Sequence, residues 1–99
     1  MIRKVFRYPV ELTDEQVITM PEGAQILSVA RREGSRVVLG VGSNEAVELW
    51  ALVDPYAPPE QRHIRVIGTG HPVPSDELDF LGTVQLAQGL LIFHIFEVI

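Results

Sequence analysis

The chain has 99 residues, of which 46% are hydrophobic, and this length and composition predict one folded β-rich domain over residues 1–99, not a disordered chain. Its 13 acidic and 8 basic side chains give a formal net charge of −5, which argues against general nucleic-acid binding because that function needs an excess of Lys and Arg. The chain has no cysteine, which excludes disulfides, zinc–thiolate sites and a cysteine nucleophile.

The first half of the chain is predicted to form short strands separated by turns. Residues 3–12 alternate between apolar and polar side chains, as in a half-buried strand, and Pro9 inside this run indicates an edge position or a bulge. Residues 13–16 could cap a helix, but the β-branched residues and the proline that follow them favour a turn between two strands. Further strands are predicted, between tight turns, over residues 25–30, 36–41 and 46–53.

The second half begins with a stiff loop and ends with a hairpin. Residues 54–61 contain three prolines and lack periodicity, which predicts a rigid connection. A strand from residue 63 onward then ends in glycines, and the acidic loop 75–79 could hold one helical turn capped by its first serine. Strands are predicted over residues 80–86 and 90–98, around a three-residue loop in which Gly89 adopts positive φ.

These elements predict an all-β fold, either a small sandwich or a small barrel of about seven mostly antiparallel strands. The last strand is apolar on both faces, which is typical of a strand in the middle of a packed structure or at a subunit interface. Because a chain of ~100 residues struggles to cover both sides of such a strand, we expect a homo-oligomer.

The segment Gly68-Thr69-Gly70 is the strongest candidate for a binding site. Successive backbone N–H groups in a glycine turn can hold an anion, and nearby Arg and His side chains could supply charge. The alternative is that the glycines only form a bulge and a tight turn. An aromatic side chain beside the Pro-rich loop could stack on a base or anchor a partner, although we expect the single Trp to be partly buried. The candidate ligand-binding residues are Arg62, Arg65, Gly68, Thr69, Gly70, His71, Tyr56 and Trp50.

Catalytic and metal-binding patterns are weak in this sequence. The three histidines lie on different segments and match no metal-ligand spacing, so we expect no metal and no cofactor. There is no Gly-x-Ser-x-Gly elbow, and the acids of residues 76–79 are more typical of a solvated loop. The alternative enzyme is a small hydrolase of phosphate-containing substrates that uses His71 or His94 with an acid such as Asp54 or Glu97.

The N-terminal residues mix charged and apolar side chains too closely for a signal peptide. No apolar run approaches the ~18–20 residues that a membrane span requires. We therefore expect a cytoplasmic protein that does not bind membranes.

Several segments are specific in combination: KVFRYP at residues 4–9, MPEGAQIL at 20–27, LWALVDP at 49–55, GTGHP at 68–72, FLGTVQ at 80–85 and FHIFE at 93–97. Together they resemble a family of short proteins of unknown function from tailed bacteriophages and prophages. Residues 31–47 are longer than is usual in that family, which implies an extended hairpin or an inserted strand.

The resemblance implies a non-enzymatic accessory protein that acts in the host cytoplasm. Such a protein would bind a host protein or sequester a small, nucleotide-like anionic signalling ligand, and so act against host defence. A structural or assembly protein of the virion is the remaining alternative.

Overall fold

The computed structural model describes residues 2–32, 47–74 and 77–99, and these residues form seven strands. The strands are β1 (Lys4–Val10), β2 (Glu15–Pro21), β3 (Gln25–Arg31), β4 (Val47–Val53), β5 (Pro59–Gly68), β6 (Leu78–Leu86) and β7 (Leu91–Val98). They build a three-stranded sheet of order β1-β4-β3 and a four-stranded sheet of order β2-β5-β7-β6, and all pairings are antiparallel. The predicted all-β fold of about seven strands is confirmed, and the two sheets are not closed into a barrel.

Both sheets contribute to one hydrophobic core. β4, in the middle of the smaller sheet, buries every second side chain, from Val47 to Val53, almost completely. The larger sheet adds residues that are also nearly inaccessible, among them Ile64 and Ile95 at 1% and 0% exposure. The apolar members of the period-two alternation in the sequence are therefore the side chains that lie between the two sheets.

Two positional predictions are confirmed by the strand order. β1, which carries Pro9, is an edge strand of its sheet. At an edge, a proline can lack its N–H group without breaking a hydrogen bond to a second neighbouring strand. β7 lies between β5 and β6, in the interior of the larger sheet, as its two apolar faces indicated.

Several predicted boundaries were wrong. β5 begins at Pro59, so residues 59–61 belong to a strand that pairs with β2 and not to a rigid connection. β6 begins at Leu78, which pairs with Val98, so the last two residues of the predicted acidic loop are also in a strand. Of the predicted turn 13–16, the last two residues are already in β2. The predicted strand 36–41 and the helical turn capped by Ser75 lie outside the described residues.

The hairpin between β6 and β7 turns through residues 87–89, as predicted, and Gly89 has φ +86°. Ala87 and Gln88 also have positive φ, +50° and +58°, which the sequence did not suggest for residues with side chains. Within the described part of the chain, no helix has the length and apolar character needed to cross a membrane.

β6 also contacts the other sheet directly. A register shift between Phe80 and Gly82 interrupts its pairing with β7. A Cβ atom added at Gly82 would lie only 2.6 Å from Cγ2 of Val29 in β3. The glycine therefore permits the close approach of the two sheets at this edge.

Candidate functional site

Two of the predicted site residues, both aromatic, lie far from the glycine turn. Trp50 is on β4 of the smaller sheet, where it is half-buried and points outward opposite Arg7 and Ser28. Tyr56 is 87% exposed in the loop that precedes β5. β5 has ten residues and so spans about 30 Å, which separates Tyr56 from Gly68 at its other end.

Arg62 points toward the interior and is held by hydrogen bonds. Its Nη2 donates to Oε1 of Glu97 at 2.9 Å, its Nε donates to the other carboxylate oxygen, and its Nη1 donates to the carbonyl of Ala24 at 2.7 Å. The hydrogen bond to Glu97 raises the pKa of Arg62 above its ordinary value. Arg62 thus ties β5 to β7 and to the turn before β3.

The remaining predicted residues lie on or beside the outward surface of the larger sheet, which we call the outer face. In its centre Glu15 lies opposite Arg65, Arg65 lies opposite Phe96, and Phe96 lies opposite Phe80, so that one row crosses all four strands. The outer face consists of Glu15, Val17 and Thr19 of β2, Gln61, His63, Arg65 and Ile67 of β5, Ile92, His94, Phe96 and Val98 of β7, and Leu78, Phe80, Thr83 and Gln85 of β6.

Phe80 and Phe96 form an aromatic pair that sequence reasoning missed. Their ring centroids are 5.5 Å apart and the rings are tilted by 59°, a favourable arrangement for two aromatic side chains. Phe80 is 60% exposed, whereas Phe96 is half-buried. The pair therefore presents the ring of Phe80 to solvent two strands away from Arg65, with Phe96 between them.

His94 fixes the glycine turn to the outer face. Its Nε2 is 2.8 Å from the hydroxyl of Thr69, and its Nδ1 is 2.9 Å from the hydroxyl of Thr83. A neutral imidazole donates one of these hydrogen bonds and accepts the other. Both ring nitrogens are engaged, so His94 supports the turn and offers no free nitrogen to a metal.

The two glycines of the turn have different roles. A Cβ at Gly68 would lie 3.3 Å from the ring of His71, so the absence of a side chain lets that ring pack on the strand end. Gly70 has φ +87°, which glycine adopts without strain. The N–H of His71 donates to the carbonyl of Gly68 at 3.1 Å and closes the turn.

Two shallow grooves meet at Arg65. The first, of about 330 Å³, runs over the outer face between Val17, His63 and Val98. The second, of about 270 Å³, lies between Asp14 and the turn, and Gly68 and His71 line it. Arg65 itself is 19% exposed and forms an ion pair with Glu15, whose side chain is 66% exposed. The structure thus brings Arg65, Gly68, Thr69, Gly70 and His71 together.

Among residues 2–32, 47–74 and 77–99, no group of three or more His, Asp or Glu side chains could hold a metal ion. No curated protein and no solved structure matches this chain. The model of one protein family, described as a domain of unknown function (DUF7352), matches residues 1–99. Because this match covers the whole length, the chain belongs to the DUF7352 family.

Proposed function

We propose that this protein is a non-enzymatic binding protein that captures a small, nucleotide-like anion on its outer face. The observation that carries the proposal is the row in which Arg65 lies opposite Phe96 and Phe96 lies opposite the exposed Phe80. A guanidinium is well suited to bind phosphate, and an exposed aromatic ring is a stacking surface for any nucleobase.

The spacing of the row suits such a ligand. Adjacent strands are about 4.8 Å apart, so Arg65 and Phe80 are separated by about 10 Å across β7, on the order of the length of a nucleotide. The phosphate would bind at Arg65, beside the turn that contains His71, and the base would lie on the aromatic pair.

Glu15 reduces the positive charge that Arg65 presents to an anion. Its carboxylate already pairs with Arg65, but it is 66% exposed and can move into water. A bound phosphate would replace it as the partner of Arg65. We therefore expect Glu15→Gln to strengthen anion binding, because it removes a competing negative charge.

The biological setting of the proposal follows from the resemblance to proteins of tailed phages and prophages. We propose an accessory role in the host cytoplasm, in which the protein sequesters a nucleotide-like signal of host defence. A host protein is the second candidate partner, and the exposed Val17 and Phe80 on the same face favour it because apolar patches are common at protein interfaces.

The test is a thermal-shift and calorimetric screen of the full chain against inorganic phosphate, mononucleotides and cyclic dinucleotides. A ligand that binds only the folded state raises the melting temperature with concentration. We expect Phe80→Ala and Arg65→Gln each to weaken nucleotide binding about tenfold or more, since stacking is worth about 1–3 kcal/mol per base. Tyr56→Ala and Arg7→Gln, which alter exposed residues outside the outer face, should leave the affinity unchanged.

The proposal fails if no nucleotide shifts the melting temperature, or if Phe80→Ala binds as tightly as the wild-type protein. Chromatography of the nucleotide after incubation separates capture from catalysis: recovered unchanged, it supports a binding protein. Conversion to a product would instead support the hydrolase.

A further inference from the structure

We infer that two copies of this chain associate through their outer faces, so that the ligand site is completed by the second copy. The role of the ligand in this inference rests on the proposed function. The association itself does not, and it can be measured without any ligand.

The outer face carries apolar surface that the single chain leaves in water. Val17 is 49% exposed and Phe80 is 60% exposed. Beside them, Leu78, Phe96 and Val98 are only partly buried, although β7 lies in the interior of the sheet. Leu78, Phe80, Phe96 and Val98 are neighbours on β6 and β7, and Val17 lies on the far side of β5. Exposed apolar surface of this kind marks an interaction surface.

Charge favours a second copy as the occupant of this surface. At the outward positions of β2, β5, β6 and β7 the only charged side chains are Glu15 and Arg65, and these pair with each other. The chain as a whole has a net charge of −5, so its excess negative charge lies elsewhere. Two such acidic molecules repel each other least when they meet on this neutral face.

The available area fits a weak but specific dimer. Four strands are about 19 Å wide, and eight residues of strand are about 26 Å long, so each copy offers about 500 Å². Two copies would bury about 1,000 Å² in total, at the lower limit for specific interfaces. We expect a dissociation constant in the micromolar range.

A second copy would also enclose the ligand. A molecule that lies on one open sheet face keeps one side in water, whereas small-molecule sites bury about 70–90% of the ligand surface. A two-fold axis through the outer face makes the contact self-complementary. It would place an aromatic pair and an Arg65 from each copy around one shared space.

Sedimentation equilibrium of the ligand-free full chain, from low micromolar to near-millimolar concentration, tests the inference. We expect the average mass to rise from 11.0 kDa toward twice that value. Phe80→Asp and, separately, Val17→Asp should keep the protein monomeric over the same range. Tyr56→Asp, at an exposed loop position, should dimerise like the wild-type protein, and circular dichroism should show that all variants are folded.

A mass that stays at 11.0 kDa at the highest concentration overturns the inference. So does a folded Phe80→Asp variant that dimerises as well as wild type, because the contact would then be elsewhere. A monomer that binds nucleotides would refute the dimer and leave the proposed function standing. A dimer that binds no nucleotide would support the association of two copies and refute the proposed function.

Discussion

A single methyl group at position 82 should destabilise this protein, because β6 contacts the other sheet there. The added Cβ would lie 2.6 Å from Cγ2 of Val29, about 1 Å closer than the optimal separation of two carbon atoms. Overpacking of this kind costs about 1–3 kcal/mol. We expect Gly82→Ala to lower the free energy of unfolding by about 2 kcal/mol, which corresponds to a fall in melting temperature of about 8–16 °C for a domain of this size.

A double-mutant cycle isolates the contact. Val29→Ala removes the methyl group that Gly82→Ala would strike, so the part of the cost that comes from this contact should disappear in that background. The part that comes from the backbone at φ +159° should remain. Urea denaturation of the wild type, both single variants and the double variant gives the coupling energy, which we expect to exceed about 1 kcal/mol.

Gly68→Ala is the matched control. Its Cβ would meet the ring of His71 at 3.3 Å, but that side chain is exposed and can move. The substitution should therefore cost less than about 1 kcal/mol. If Gly82→Ala costs the same with and without Val29, the two residues do not meet, and the close approach of β3 and β6 is refuted.

Two further predictions concern ionisable groups. Glu97→Gln should cost about 3 kcal/mol, because it leaves the partly buried Arg62 with only the more distant carboxylate of Glu60. Glu15→Gln should cost less than about 1 kcal/mol at its exposed site. Equal costs in urea denaturation would contradict the inward position of Arg62. Burial raises the pKa of the Tyr8 hydroxyl above its ordinary value. The unfolded chain therefore loses that proton at lower pH than the folded protein does. As a result, the free energy of unfolding should fall as pH rises above about 10. In Tyr56→Phe, Tyr8 is the remaining tyrosine, and a tyrosinate absorbance midpoint at or below the ordinary value would contradict this expectation.

The fold could be predicted because its signals are local. Alternation with period two identified the strands, and Pro9 and Gly89 identified an edge strand and a hairpin turn from their own backbone chemistry. The boundary at Pro59 was missed because its strand pairing depends on β2, which is distant in sequence. A proline-rich segment is therefore predicted as a loop from its own residues, even where it pairs with a distant strand.

The position of Arg62 could have been read from the sequence, because residues three apart in a strand point to opposite faces. Arg62 and Arg65 therefore could not both line one site once β5 included the two residues. The predicted strand began at residue 63, and so it did not show that Arg62 and Arg65 point to opposite faces. Trp50 belongs to the other sheet, and its assignment required the strand order, which depends on contacts between distant segments.

The aromatic pair had no comparable signal in the sequence. A regular hairpin around residues 87–89, continued from Leu86 opposite Leu91, would place Leu81 opposite Phe96. The register shift between Phe80 and Gly82 brings Phe80 there instead. That shift occurs where Gly82 packs against the other sheet. The aromatic pair on the outer face is thus linked to a contact made through the opposite side of β6.

The two faces of β7 together explain why the outer face is the place to look for function. Its inward residues pack against the smaller sheet, and Ile95 is fully buried there. Its outward residues lie on the same face as the exposed Phe80 and Val17. The residues that the structure describes form two layers, and this face is not between them. An uncovered apolar surface favours aggregation unless something binds it. A second copy would cover this surface, and the ion pair of Arg65 with Glu15 in its centre leaves the surface neutral for that contact.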